Sequence, residues 1–253
     1  MSGRVLSDNK TFCERYEDLT ADDVIVGRLK LYPGEEHILL DLSSRGVTLI
    51  PSALSQLCSR SKVFQARILK EYMITGTHVL YSKHDMLEVV SRFGKDSVGK
   101  VVCKLDRANG GLGILLFSSI EDVYSQAVLG TLKFPFVVQP FIADSRDVRV
   151  IVLGEYTEAY QRHNPDNFRH NLHCGGKSSS WEMNEEQVAL CRKVMQRADF
   201  PYACIDLLID PDGRSWVNEI NLRGGLSGAD ISQKDYLQAV DVIHATLLEQ
   251  GQR

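Results

Sequence analysis

The sequence lacks long hydrophobic runs and an excess of basic residues, and each absence excludes a class of protein. No apolar run approaches the roughly 20 residues that a transmembrane helix requires, and the opening MSGRVLSDNK has no apolar core of a signal peptide. The net charge of −4 is spread along the chain, unlike the basic footprint of a nucleic-acid-binding protein. We therefore expect a cytoplasmic protein that binds neither membranes nor nucleic acid.

Paired cysteines are also absent. The six cysteines are scattered, with no CxxC pair and no histidine cluster at zinc spacing. This pattern indicates free thiols in a reducing compartment. A chain of 253 residues is long enough to bury its core without metals or disulfides.

The hydrophobic pattern of the first half predicts strands and short helices. In the first fifty residues, short apolar runs broken by glycine and proline predict strands around a small helix over 36–45. A helical pattern follows over 52–72, and another helix fits 83–93. Two β-rich runs, VVCKL and GILLF, then flank a loop over 106–113.

The second half predicts sheet with three helices. Ser119 and acidic residues after it predict a capped helix ending at Gly130, and Asn184 with Gln187 predicts a capping box for a helix through Ala198. The remaining predicted elements are three β-rich runs between 134 and 163, a hairpin with strands over 203–209 and 215–220, and a terminal helix over 233–249.

The predicted hairpin CIDLLIDPDGRSWVNEIN carries a candidate metal site. Side chains alternate along a strand, so Glu219 and Asn221 project from the same face, and Asp206 on the neighbouring strand can join them. Two carboxylates and an amide suit Mg²⁺, which prefers oxygen ligands. The alternative is a set of polar residues on the solvated face of a half-buried hairpin.

The segment KLDRANGGLGILLF is a candidate phosphate-binding lid. Gly110, Gly111 and Gly113 allow the backbone to expose its N–H groups, and Lys104 would add a positive charge next to phosphate oxygens. No GKS or GKT follows, and a strand comes next instead of a helix, which excludes a P-loop. The alternative is a flexible turn.

Two further segments, DSRDVRVIVLG and RHNPDNFRHNLHCGG, place arginines near these groups. Asp147 and Arg149 share one face of a strand, and Arg169 and Asn171 lie together in a polar loop. Arginines facing a phosphate site can neutralise the charge of a transferred phosphoryl group. The alternatives for Asp147 and Arg149 are an internal salt bridge between them or surface charge.

In this order, the segments resemble the RimK-like branch of carboxylate–amine ligases in the ATP-grasp superfamily. SRSKVFQARIL looks like the helix before the grasp domain, and VVCKLDRANGGLGILLF matches the lysine strand and lid. FVVQPFI resembles the adenine-side hinge, DVRVIVLG the Asp-x-Arg strand, and FRHNLHCGG the family's FRxNLHxGG loop. The resemblance runs from about Cys58 to the end of the last helix.

The resemblance implies an α+β fold in which two α+β lobes clasp the nucleotide, preceded by a short α/β N-terminal lobe. The expected regions are a shortened pre-grasp lobe at 1–55, an N-terminal grasp subdomain with the lid at 56–136, and a C-terminal subdomain with the metal site at 137–253.

The resemblance also implies a set of site residues. Mg²⁺, or Mn²⁺ in its place, is expected at Asp206, Glu219 and Asn221, and catalytic roles fall to Arg149 and Lys104. Adenine is expected near Pro140 and Phe141 and ribose near Asp147. The complete ATP-binding set is Lys62, Lys104, Gly110, Gly111, Gly113, Gln139, Pro140, Phe141, Asp147, Arg169 and Asn171.

The family reaction activates a carboxylate as an acyl phosphate, which an amine then attacks to form an amide or peptide bond. Such phosphoryl transfer needs positioning and charge neutralisation more than a protein nucleophile. The expected substrates are a small-molecule or peptide carboxylate and an amine, with glutamate or another amino acid as a candidate addition.

Two departures from the family pattern affect the substrate side. Leu222–Gly225 replaces the usual Ser-Pro-Gly after the metal asparagine, so Arg223 and Gly224 become candidate substrate residues, with a surface role for Arg223 as the alternative. The short segment before the grasp domain predicts a more open cleft or one completed by a second subunit, for which a homodimer is a candidate.

Two rival functions stay open at this level. One is a nucleotide-binding module of the same fold that has lost ligase activity, suggested by the altered segment after Asn221. The other is a plain α/β protein in which the hairpin is only structural. ADP release that depends on an added amine distinguishes the first rival from a ligase, and Mg-ATP-dependent stabilisation distinguishes the second.

Overall fold

The computed structural model describes residues 3–108, 112–170, 172 and 175–251. Within these ranges, no helix combines the length and the apolar character needed to span a bilayer. The strands are β1 (Val5–Leu6), β2 (Val24–Val26), β3 (Thr48–Ile50), β4 (His78–Leu80), β5 (Val101–Leu105), β6 (Ile114–Phe117), β7 (Phe136–Pro140), β8 (Arg146–Leu153), β9 (Tyr156–His163), β10 (Lys177–Ser180), β11 (Tyr202–Ile209) and β12 (Ser215–Asn221).

Helices connect these strands, and most begin at a side chain that accepts a hydrogen bond from the first turn. Ser61, Ser82, Ser119 and Asn184 cap four of them, and Asn184 and Gln187 form the predicted capping box. The helices are α1 (Asn9–Arg15), α2 (His37–Ser44), α3 (Ala53–Cys58), α4 (Lys62–Ile68), α5 (Lys83–Lys95), α6 (Ile120–Val128), α7 (Glu185–Arg197) and α8 (Gln233–Gly251).

The strands form three sheets. A parallel sheet of order β1-β2-β3 lies in the N-terminal region, followed by a four-stranded antiparallel sheet, β4-β7-β5-β6, and a five-stranded antiparallel sheet, β10-β9-β8-β11-β12. Each sheet has its own hydrophobic cluster, and Val137 of β7 also joins the cluster of the five-stranded sheet. The predicted α+β character is therefore confirmed, with two antiparallel sheets behind a small α/β region.

The helical pattern over 52–72 is interrupted, which the prediction of a continuous helical stretch missed. α3 ends at Cys58, and α4 begins after Ser61, whose hydroxyl accepts a hydrogen bond from Phe64 N at 3.0 Å. The chain therefore bends between α3 and α4, and Ser61 caps the start of α4. The short strands β1, β4 and β10 were also missed, because β1 has two residues, β4 has three, and β10 is the polar run KSSS.

α4 packs with the five-stranded sheet, although it precedes the four-stranded sheet in the chain. Val63 and Ala66 belong to the same hydrophobic cluster as Val150 and Ile220. The Gln65 side chain bonds both backbone groups of Ile220, at 2.9 and 3.1 Å. The helix thus completes the outer edge of β12. The regional boundaries after residues 55 and 136 stay predictions, as does the homodimer.

Candidate active site

A cavity of about 1020 Å³ is lined by the four-stranded sheet, the five-stranded sheet and the N-terminal region. Most of the predicted site residues meet there. Gly113 lies at the base of the lid and does not line the cavity, while Gly110, Gly111 and Asn171 lie outside the described residues. The predicted residues that line it are Lys62, Lys104, Gln139, Pro140, Phe141, Asp147, Arg149, Arg169, Asp206, Glu219, Asn221, Arg223 and Gly224.

A β-bulge shapes the predicted metal hairpin. Asp206 pairs with Glu219, but Leu207 pairs with Val217, so Asn218 is the extra residue on β12. Val217 and Ile220 are buried in the core, and Asn218, Glu219 and Asn221 line the cavity. The predicted shared face of Glu219 and Asn221 is therefore confirmed. The bulge adds Asn218, which strict alternation would place on the opposite face.

Two lysines lie against this hairpin. Lys104 is 5% exposed, and its ammonium group donates hydrogen bonds to Asn218 Oδ1 at 2.6 Å and Asn218 O at 3.1 Å. The Lys62 ammonium group lies 3.2 Å from Glu219 Oε1 and donates to Ala108 O at 2.8 Å. Burial lowers the pKa of Lys104 to about 8, and this effect outweighs the charge of the Glu219 carboxylate, which raises the pKa. Among the described residues, no carboxylate lies within ion-pair distance of Lys104.

Asp206 is held by two arginines. The guanidinium of Arg149 donates to both of its oxygens, at 2.7 and 2.9 Å, and Arg162 Nη2 lies 2.9 Å from Oδ2. Arg162 also donates to Asp147 Oδ1 at 2.6 Å. Burial alone would raise the pKa of Asp206, but the two guanidiniums lower it well below its usual range. Burial raises the pKa of Asp147, which shares Arg162 with Asp206.

This arrangement rules out both alternatives for the Asp-x-Arg strand. Asp147 and Arg149 do share the cavity face, as predicted, but each pairs with a residue on a neighbouring strand. The Arg149 side chain is 15% exposed, which excludes a role as surface charge. Register explains the partners, because β8 places Arg149 opposite Asp206 on β11 and Asp147 opposite Arg162 on β9.

The other end of the cavity is apolar and aromatic. Phe141 and Phe168 make an edge-to-face contact with ring centroids 6.4 Å apart. Arg169 lies over the Phe168 ring and donates two hydrogen bonds to Ile114 O on β6, at 2.5 and 3.1 Å. Arg169 thus ties the 164–170 loop to the lysine hairpin. The other apolar residues lining the cavity are Val102, Ala108, Ile114, Pro140, Ile142, Pro165, Leu172 and Leu208.

The base of the predicted lid is fixed by close packing. A Cβ at Gly113 would lie 2.2 Å from the Cβ of Ala108, so only glycine fits this position. Asp106, at the start of the loop, accepts hydrogen bonds from Ser61 Oγ at 2.8 Å and from Val63 N at 3.1 Å. Both ends of the loop are therefore positioned by neighbouring elements.

The segment after Asn221 is held on both sides. Leu222 N donates to Ser59 Oγ at 3.0 Å, and Leu222 O accepts from Tyr236 of α8 at 3.1 Å. Gly225 O accepts from Arg149 Nη1 at 3.0 Å. A Cβ at Gly224 would lie 2.7 Å from the Cβ of Cys204, so the backbone passes too close to β11 for a larger residue. Arg223 is thus carried on a fixed stretch of backbone.

The donor chemistry fits a hard cation and a phosphate chain. Glu219 and Asn221 offer oxygen ligands on one cavity wall, and the buried Lys104 offers a positive charge without a carboxylate partner. Among the described residues, no three His, Cys, Asp or Glu side chains converge on one point. The Asp206 carboxylate is already paired with Arg149 and Arg162, so it would have to bind a metal ion in addition to them. Glu219 and Asn221 are therefore the more accessible ligands.

Among the cavity residues that the sequence did not predict, Arg162, Asn218 and Arg28 bear most on the site. Arg162 could have been found, because pairing the strands on either side of Gly154 places it opposite Asp147. Asn218 depends on the bulge, which no residue pattern in the sequence announces. Arg28 belongs to the N-terminal region, where the sequence offers no motif.

Comparisons with known proteins place the chain in a family. A sequence model of the RimK-like ATP-grasp domain matches residues 64–243. The chain is 28% identical over 185 residues to a "probable alpha-L-glutamate ligase" of Rhodopirellula baltica, covering 70% of this chain and 44% of that protein. It is 27% identical over 223 residues to a protein of the same name from Nitrosococcus oceani, covering 85% and 73%. The chain spans about half the length of several curated relatives it matches.

The fold comparison agrees with the sequence match. The crystal structure of N5-carboxyaminoimidazole synthetase from Staphylococcus aureus, complexed with ADP, superposes with a TM-score of 0.66 at 15% identity, covering 92% of this chain and 64% of that one. This likeness confirms the predicted ATP-grasp fold. Members of the superfamily use ATP with divalent metal ions. Because the domain match extends over most of its length, the chain belongs to the RimK-like ATP-grasp family.

Proposed function

We propose that the protein is an ATP- and Mg²⁺-dependent carboxylate–amine ligase that forms an amide or peptide bond through an acyl phosphate. The observation that carries the proposal is the buried Lys104, whose ammonium group forms no ion pair with a described carboxylate. It bonds Asn218, next to Glu219 on the wall of a large cavity. A buried cation of this kind is costly unless an anion reaches it. The phosphates of ATP supply that anion.

The cavity offers two environments that suit the two ends of a nucleotide. Phe141 and Phe168 provide aromatic surface for adenine, and Lys104 and Lys62 face the phosphates. Glu219 and Asn221 would hold Mg²⁺, with Asp206 sharing its charge between the cation and the two arginines. The metal ion, when bound, neutralises phosphate charge and orients the phosphates for transfer.

The chemistry needs positioned charge more than a nucleophilic side chain. A substrate carboxylate oxygen bonds to the γ-phosphorus, the bond from that phosphorus to the bridging oxygen breaks, and ADP leaves. The neutral amine nitrogen then bonds to the acyl carbon, inorganic phosphate leaves, and the amine proton passes to phosphate or solvent. Arg149 is the candidate to stabilise the oxyanion that forms in this second step, because its guanidinium is fixed by Asp206 and Gly225 O.

We further propose that L-glutamate is the amino acid added. The names of the curated relatives support this choice, since several are called probable alpha-L-glutamate ligase. The partner would be a carboxylate on a small metabolite or peptide. The cavity volume of about 1020 Å³ lies at the upper end of the usual range for ligand pockets, which supports a nucleotide and a small second molecule bound together.

The test is ADP release from Mg-ATP with a panel of acids and L-glutamate. We expect release that depends on both substrates, with an amide product detected by mass spectrometry. Glu219→Gln should lower the rate at least about a hundredfold, because it removes one proposed metal ligand while keeping the side-chain shape. Glu186→Gln on the exposed face of α7 is the matched control.

The same assay addresses the rival without turnover. Tight nucleotide binding combined with no product across the whole panel would favour a nucleotide-binding module, which the names of the relatives do not favour. Failure of Mg-ATP to raise the melting temperature would count against any nucleotide site.

A further inference from the structure

Arg28 and Arg223 form a second group of positive charge in the cavity. Arg28 follows β2 in the N-terminal region, and Arg223 follows β12, yet both line the same wall. The Nε of Arg28 is buried and has no hydrogen-bond partner among the described residues. Neither arginine forms an ion pair with the described part of the chain. Two arginines without a counter-charge are therefore held close to each other.

The backbone on both sides of Arg28 is fixed. Gly27, at φ +103°, turns the chain out of β2, and its N–H donates to Ile50 O at 2.6 Å. Leu29 N donates to Gln56 Oε1 at 3.0 Å, and Leu29 O accepts from the guanidinium of Arg60. Arg28 is therefore presented to the cavity by a rigid turn.

The charges around Arg28 favour an anion. Burial lowers its pKa, and the neighbouring Arg223 lowers it further. The groups that face it are cationic or neutral: Arg60 and Arg223 are positively charged, and Tyr202 is a phenol whose pKa is raised by burial. Such repulsion is relieved when a carboxylate bonds both guanidiniums.

We propose that Arg28 and Arg223 bind the α-carboxylate of the amino acid that supplies the amine. An amino acid used as the amine keeps its own carboxylate through the reaction, so this group needs a permanent counter-charge apart from the phosphates. The lysines face the phosphate end and the Asp206 cluster is charge-paired. Arg169 is bonded to Ile114 O, and Arg146 lies over the Trp181 ring, so Arg28 and Arg223 are the arginines of the described cavity wall without such a contact. The inference rests on the proposed ligase function and adds the residues that bind the α-carboxylate of the added amino acid.

The experiment is calorimetric binding of L-glutamate, its α-amide and L-glutamine to the full chain saturated with Mg-ADP. We expect L-glutamate and L-glutamine to bind and the α-amide to bind at least about tenfold more weakly. Arg28→Gln and Arg223→Gln should each weaken L-glutamate binding about tenfold or more, with Mg-ADP affinity changed less than about threefold. Arg28→Lys should recover part of the loss, since it restores charge without the fork of donors.

Different outcomes would contradict the proposed ligase function and the arginine subsite. Loss of Mg-ADP binding in the unaltered chain counts against the proposed function. Three outcomes, each with normal Mg-ADP binding, would overturn the arginine subsite alone. They are equal affinity for L-glutamate and its α-amide, no binding of any of the three probes, and unchanged L-glutamate binding in both glutamine variants. Arg192→Gln, on the exposed face of α7, is the matched control and should leave both affinities unchanged.

Discussion

The cavity contains two kinds of cation. Arg149 forms an ion pair with Asp206, and Arg162 forms ion pairs with Asp147 and Asp206. Lys104, Arg28 and Arg223 have no carboxylate partner in the described chain. The paired group joins β8, β9 and β11, so its charges hold the framework together. The buried Lys104 costs folding energy unless an anion binds, whereas the exposed Arg223 has little such cost. The paired group therefore supports the framework and holds Arg149 in place, whereas the unpaired group is available to an anion.

Removal of Asp206 should be the most damaging single change. Asp206→Ala leaves Arg149 and part of the bonding capacity of Arg162 buried without a partner, and we expect the free energy of unfolding to fall by about 3–5 kcal/mol. Urea denaturation measures the loss. Asp212→Ala, which breaks an exposed ion pair with Arg214, is the control and should leave stability almost unchanged. A loss as small as that of the control would mean that the paired group does not support the framework.

Lys104→Met should have the opposite signature. It keeps the length of the side chain and removes the buried charge, so we expect stability to be unchanged or higher while affinity for Mg-ATP falls about a hundredfold, or about 2.7 kcal/mol. Urea denaturation and calorimetry measure the two quantities on the same samples. Lys193→Met on the exposed face of α7 is the control. A stabilising role for Lys104 would appear as a fall in stability together with intact nucleotide affinity.

Gln65→Leu tests the hydrogen bonds by which an uncharged side chain of α4 holds β12. Gln65 bonds Ile220 N, Ile220 O and Cys58 O, so its loss leaves three buried backbone groups without their side-chain partner. We expect a destabilisation of about 2 kcal/mol and weaker Mg-ATP binding, because β12 carries Glu219. Gln196→Leu, at an exposed position of α7, should change neither. Loss of stability without any loss of nucleotide affinity would separate the anchor from the site.

The smallest expected effect is a pH dependence from Lys104. Burial lowers its pKa to about 8, below the usual value for lysine. In the nucleotide-free protein, a large part of the Lys104 side chains is therefore neutral above pH 8. Phosphate favours the charged form, and we expect proton uptake of less than about one proton on Mg-ATP binding at pH 8.5. Calorimetry in buffers of different ionisation enthalpy measures it.

Two controls accompany the pH measurement. Lys104→Met should lose the proton uptake, and Lys193→Met should keep it. In the free protein, the neutral form of Lys104 becomes favoured as the pH rises from about 8 towards the unfolded-state value, so its contribution to stability should increase over that window. Proton release on binding would contradict the assignment.

Much of the secondary structure was predictable because its signals are local. Serine and asparagine caps set the start of α5, α6 and α7, and apolar runs set β5, β7, β8 and β11. The bend between α3 and α4 was missed, since both helices share one apolar pattern and only the Ser61 cap separates them. Strand β10 was missed because polar residues gave no signal.

The candidate site was predictable where its residues lie in motifs. Alternation placed Glu219 and Asn221 on one face, and the order of the motifs brought Lys104 and Arg169 to the same cavity. The partners of these residues were not predictable. The alternative of a salt bridge between Asp147 and Arg149 was wrong, because each side chain pairs with an oppositely charged residue on a neighbouring strand.

The sequence by itself determined the family, the elements and the residue types of the nucleotide site, because caps, alternation and motif order are properties of short stretches of chain. Only the tertiary structure decided which charges are paired and which are not. Arg162 meets Asp206 through the register of β8, β9 and β11, and Arg28 meets Arg223 although about two hundred residues separate them. Pairing depends on distances across strands and between regions, which the folded chain sets.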